Sequence, residues 1–155
     1  MGCPTTEAFS LYGAYQEFWE DNGDSNPSND RLSLMIWRSD NKDIYVIVGE
    51  DADASNGRIF AYTDFWDESQ PSEHPDCVGM TPPSGLQLPI RGFGKIWCEE
   101  DLLYDVGFAQ GGESAVTLLV QWMQGGLLLQ VSDPGGYLIA LDFRAVYAVT
   151  MPTGP

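Results

Sequence analysis

Seven short segments in which apolar residues alternate with polar or small ones constrain this chain more than any other feature. They are Leu32–Arg38, Asp43–Gly49, Arg58–Tyr62, Ala115–Gln121, Leu127–Val131, Tyr137–Leu141 and Ala145–Val149, each bounded by Gly, Asn, Asp or Pro. A period of two places one set of side chains on one face of a strand, and turn residues at the ends let the chain reverse. The pattern therefore predicts a mainly β fold of antiparallel hairpin modules, with Ser39-Asp40-Asn41-Lys42 and Ser132-Asp133-Pro134-Gly135-Gly136 as connections. One or two short helices complete the expectation. Thr6–Glu20 carries Phe9, Gly13, Gln16, Glu17 and Glu20 at helical spacing behind Thr6 as a cap. Glu99–Val106 has acids in its first turn and stops at Gly107.

The strands fall into an internal repeat. Gln121-Trp122-Met123 precedes Leu127–Gln130, a six-residue gap and then Tyr137–Leu141. Earlier, Gln16-Glu17-Phe18 precedes, after a polar insertion, Ser33–Trp37, a six-residue gap and then Ile44–Val48. Equal gaps are what two hairpins of one geometry require, because loop length fixes register. The expected organisation is one domain, 1–155, with repeat halves 7–70 and 89–150 joined by a Pro- and Gly-rich segment, 71–88. At 155 residues such a domain can bury a core without depending on metals or many disulfides.

Charge narrows the partners. Twenty-three acids against 7 bases give a net charge of −16. A phosphate polymer needs a basic surface to neutralise it, so nucleic acid is excluded as a partner. The longest apolar run, Ala115–Val131, is interrupted by Gln121, Gln124, Gly125 and Gly126, and no apolar span of about 20 residues exists.

Three cysteines, Cys3, Cys77 and Cys98, show no CxxC or Cys/His spacing of a zinc site. A Cys77–Cys98 bridge across the Pro/Gly-rich stretch is expected if the compartment is oxidising. Met1-Gly2-Cys3-Pro4-Thr5-Thr6 supports several readings: a lipoprotein remnant with lipid on Cys3, a loose myristoylation pattern, or a non-native Met-Gly added where a signal peptide has been removed.

Catalytic chemistry finds little material. A Ser/His/Asp or Cys/His arrangement would have to use His74, the sole histidine, which lies in the acidic, Pro-bracketed segment Glu73-His74-Pro75-Asp76. Carboxylate pairs are abundant, so a small glycoside hydrolase stays on the list. Its acid would need a raised pKa, however, and the acids here crowd polar loops. No enzyme is expected. A calcium loop is one cofactor reading, with Asp51, Asp53 and Ser55 offering oxygens at alternate positions, and Asp21, Asp24, Asn26 and Asp30 a looser second set. The competing reading is a metal-free hydrophilic hairpin loop.

Five tryptophans raise carbohydrate binding, since flat aromatic faces dock sugar rings while carboxylates bond hydroxyls. Trp37 and Trp97 adjoin Ile36 and Ile96 on apolar segments and are expected in the core. Trp19 and Trp66 lie beside Glu20 and Asp67, and Trp19, Trp66 and Asp67 are the predicted ligand-binding residues.

Val106-Gly107-Phe108-Ala109, then Gln121, Met123, Gly126 and Leu128, then Tyr137–Leu141, resembles the LGFP repeat of bacterial cell-surface proteins. Ala109 stands at the usual Pro and Gln130 at the usual Trp. Pro89-Ile90-Arg91-Gly92-Phe93-Gly94-Lys95-Ile96-Trp97, with Tyr62–Trp66 and Pro71 before it, resembles Trp- and Gly-rich extracytoplasmic domains of Chloroflexota-like bacteria. The resemblance implies a non-enzymatic protein of the bacterial envelope. Its expected partners are itself or other envelope proteins, in a structural or self-assembling role, or alternatively cell-wall glycan.

Overall fold

The computed structural model describes residues 2–21, 23, 26, 29–50, 57–132, 137–142 and 147–152. Nine strands and two helices follow in the order β1 (Phe9–Glu20), β2 (Arg31–Arg38), β3 (Asp43–Gly49), β4 (Gly57–Thr63), α1 (Arg91–Glu99), α2 (Leu103–Val106), β5 (Phe108–Ala109), β6 (Ser114–Met123), β7 (Gly126–Ser132), β8 (Tyr137–Asp142) and β9 (Tyr147–Pro152). The fold is mainly antiparallel β. The hydrogen-bonded order runs β2-β3-β4-β9-β8-β7-β6-β1, and β1 also pairs with β2. Eight strands thus return on themselves as a barrel of two four-stranded meanders, β1–β4 and β6–β9, while the two-residue β5 pairs with the far end of β1. The ring is nearly closed, which removes most free edges: β4 meets β9 only at Gly57 and Arg58, and residues 59–63 of β4 have no partner strand on that side among the described pairings.

Both hairpins with six-residue gaps form. Leu34 pairs with Ile47 and Trp37 with Ile44 in the first; Leu127 pairs with Leu141 and Gln130 with Leu138 in the second. These are the second and third strands of the respective meanders.

Alternation along the strands makes two cores. Leu34, Ile36, Tyr45, Ile47, Val116, Leu118, Val120, Leu127, Leu129, Val131, Ile139 and Leu141 of β2, β3, β6, β7 and β8 form one buried cluster, with Leu11 and Tyr15 of β1 and Ile59 of β4 packed against it, which fills the barrel interior. Residues of opposite parity, Met35, Ile44, Val46 and Val48, join Phe93, Ile96, Trp97, Leu102 and Val106 of the helical segment in a second cluster. The stretch between β4 and β6 is therefore a cover laid over the outer face of the first meander. A disulfide, Cys77–Cys98, with Cα atoms 6.1 Å apart, ties this cover to α1, and Trp97 donates its indole N–H to the Gly107 carbonyl at 2.8 Å. Cys3 is a free, exposed thiol.

Two helical expectations change. Thr6–Glu20 is not a helix: Phe9–Glu20 is strand β1, and its helix-like spacing arises because the strand is buried differently along its length. Its first part pairs with β6 and presents Tyr12 outward, whereas its second part pairs with β2 and β5 and buries the outward Gln16 and Phe18 beneath the cover. Glu99–Val106 contains α2, but the longer helix, α1, precedes it and ends at Glu99.

Two charged residues, Arg38 and Asp30, are buried among the described residues, Arg38 the more deeply. Arg38, 1% exposed, follows Leu34 and Ile36 on the inward-facing parity of β2. Its guanidinium donates to Asp40 at 3.0 and 2.6 Å and to the Tyr45 hydroxyl at 3.2 Å, and lies 5.6 Å from the Trp122 ring centroid. Burying an arginine requires such partners, and here one of them, Asp40, reaches solvent. No helix among the described residues is long and apolar enough to cross a membrane.

Candidate functional site

A cavity of about 590 Å³ lies outside the barrel, between the first strands and the cover. Its floor is the outward face of β1, β2, β3 and β6. Ala14 pairs with Trp37 on one side and with Ala115 on the other, so two small side chains sit beside a large one. Tyr12, 76% exposed, stands at the end of this floor, and Ile44 and Phe93 complete its apolar surface. Gly13 is required beneath it, because a Cβ there would come within 2.7 Å of the Trp37 carbonyl oxygen.

The wall is the loop after β4. The Asp64 N–H donates to the Lys42 carbonyl at 2.8 Å, hanging the loop on the β2–β3 turn. Asp64 Oδ1 then accepts from the Trp66 N–H at 2.9 Å, a local turn that a carboxylate two residues upstream makes readily. The Trp66 indole donates to the Pro71 carbonyl at 3.0 Å, which fixes the ring. Asp67 accepts from both the N–H and the hydroxyl of Ser69. Those Ser69 bonds hold the Asp67 carboxyl below its ordinary value, opposite to what a general acid needs. At the start of α1, Gly92 leaves room for the Asp64 carboxylate, whose oxygens lie 2.6 and 2.7 Å from where a Cβ would stand.

Two cations mark the rim. Arg91 reaches Glu113 at 2.7 Å, and Lys42 comes from the β2–β3 turn. Both have left-handed backbones, with φ of 55° and 59°, where glycine or asparagine is the usual occupant. Trp37 contributes another anomaly: its indole nitrogen is buried without a hydrogen-bond partner among the described residues.

A smaller cavity, about 210 Å³, opens on the other side of Trp66 and is lined by Gln70, Ser72, His74, Arg91 and Lys95. There His74 lies 3.4 Å from Glu99, which also accepts from Lys95 at 2.7 Å. The Lys95 bond is the main reason that the Glu99 carboxyl sits below its ordinary value.

Of the predicted ligand residues, Trp66 and Asp67 line the large cavity together. Trp19 does not join them. It lies five residues beyond Ala14 on β1, about 17 Å away at roughly 3.4 Å per residue, paired with Leu32 and Phe108. Trp97 is buried as expected, whereas Trp37, expected in the core, packs against the second core and also lines the cavity. Sequence reasoning missed Tyr12, Lys42, Asp64, Arg91 and Glu113. The Tyr62–Trp66 run of aromatics and acid was the one local signal near them. The calcium residues Asp51, Asp53 and Ser55 lie outside the described residues, as does Asp24 of the second set. Among the described residues no group of three or more His, Cys, Asp or Glu side chains could hold a metal.

Comparison with protein-family models, with curated proteins and with solved structures finds no match.

Proposed function

We propose that this protein is a non-enzymatic, extracytoplasmic module of the cell envelope that binds a saccharide chain in the cavity between barrel and cover. The observation that carries this reading is the pairing of a fixed indole, Trp66, with an aromatic floor of Trp37 and Tyr12 and a rim of carboxylates. Aromatic faces supply apolar contact to sugar rings, polar rim groups take hydroxyls, and about 590 Å³ falls within the range of small-ligand clefts. The Cys77–Cys98 bridge favours an oxidising compartment, and the LGFP-like residues favour the envelope. Lipid on Cys3 would anchor it there, since Cys3 is exposed where the N-terminal segment runs beside the β6–β7 turn. Self-assembly through a strand edge is the second reading, favoured by residues 59–63 of β4, which have no partner strand on the β9 side among the described pairings.

The test is retention on purified cell-wall glycan, with titration calorimetry on soluble oligosaccharides. Trp66→Ala should abolish binding while changing stability by less than about 1 kcal/mol, because Trp66 belongs to neither core cluster. Equal retention of wild type and variant would refute the site. Light scattering in the same experiment decides between a monomeric module and an assembling subunit.

A further inference from the structure

The two cavities that share Trp66 differ sharply in charge. Four acids, Asp64, Asp67, Glu68 and Glu113, line the large one, whereas the small one has no carboxylate in its lining but does have Arg91, Lys95 and His74. In a chain with 23 acids and 7 bases, a cavity whose lining carries two of those bases is unusual, and their carboxylate partners, Glu113 on Arg91 and Glu99 on Lys95, each at 2.7 Å, lie outside that lining. We propose that the small cavity is a subsite for an anionic substituent, a carboxylate, on the saccharide whose ring stacks on Trp66. This inference rests on the saccharide reading of the large cavity and specifies its ligand as an acidic, uronate-type chain.

The donors are sufficient. Arg91 uses Nη1 for Glu113 and Lys95 uses one N–H for Glu99. A guanidinium carries five N–H groups and an ammonium three, so both retain donors for a second oxygen anion. Access is adequate as well: the Arg91 side chain is 54% exposed and that of Lys95 21%. Arg91 also lines both cavities from a left-handed backbone at the head of α1, with its N–H held by the Ser72 carbonyl at 2.7 Å. Strain of this kind persists where surrounding structure enforces it, and it clusters at ligand sites. The net charge of −16 does not forbid an anion here, because at physiological salt fields beyond about 8 Å are screened, and the two carboxylates that lie closer, Glu99 and Glu113, leave the remaining donors of Lys95 and Arg91 unused.

The experiment compares oligogalacturonate with the same chain fully methyl-esterified, which keeps the rings and removes the charge. Calorimetry on the wild type should show the acid chain binding at least tenfold more tightly. Lys95→Gln should collapse that preference without shifting the thermal midpoint, and Lys95→Arg should restore it. If both chains bind equally and Trp66→Ala abolishes both, the charge inference is overturned and the saccharide reading stands. If neither chain binds, both fail. A preference untouched by Lys95→Gln would also overturn the subsite.

Discussion

Reducing the Cys77–Cys98 bridge should cost stability in a calculable and localised way. The bridge spans a sequence separation of 21 residues. Releasing a loop of that size returns conformational entropy to the unfolded chain worth about 3 kcal/mol at 25 °C. For a chain of 155 residues each kcal/mol moves the thermal midpoint by about 2–4 °C, so reduction should lower it by roughly 6–12 °C. The structure also says where the loss falls. Both cysteines pack against the second core, not the barrel interior, and they hold residues 71–80 against α1, which carries Arg91 and Lys95. Hydrogen exchange after reduction should therefore rise first in α1 and the preceding cover, while β6–β8 keep their protection. The measurement is thermal unfolding with and without a phosphine reductant, checked on a Cys77→Ser, Cys98→Ser double variant. A midpoint that moves by less than 2 °C, or protection lost uniformly across the barrel, would refute the assignment of the bridge to a separable cover.

Two further outcomes follow from the cores. Leu129 is fully buried in the barrel interior, so Leu129→Ala should cost about 3–5 kcal/mol in denaturant unfolding; a loss below 1 kcal/mol would mean that the barrel is not packed as described. Burial raises the Tyr45 phenol above its ordinary value of 10.0, with Arg38 opposing but not reversing the shift. The folded state therefore holds that proton more tightly than the unfolded one. Its contribution is intact below the unfolded value near 10 and lost as pH rises towards the folded one. Urea midpoints should be flat from pH 8 to 9.5 and fall above 10, less steeply in Tyr45→Phe; identical slopes would remove Tyr45 as a source.

By itself the sequence determined the local layer of this protein. Period-two alternation and turn residues place β2, β3, β4 and β6–β9, because each pairs with neighbours close in sequence or has one face in a packed core. The Cys77–Cys98 pair was legible for a similar reason, since a short loop brings the two thiols near each other. What only the tertiary structure decided begins with β1. Its outward face is bare at Tyr12 and covered at Phe18, so no single period describes it, and its partners β5 and β6 lie about a hundred positions away. Helix α1 was equally hidden, for it starts without a side-chain cap and carries Gly92 and Gly94, poor helix formers. Both glycines answer to non-local neighbours or tight local turns: the Asp64 carboxylate crowds Gly92, and the Pro89 carbonyl crowds Gly94. The site followed the same rule. Trp66 and Asp67 could be read from one aromatic-acidic run, but Tyr12, Lys42, Arg91 and Glu113 meet them only because the chain closes a barrel and then folds its cover back across the first meander. Residues that far apart in sequence carry no joint periodicity, and their meeting is fixed by packing energy summed over the whole core.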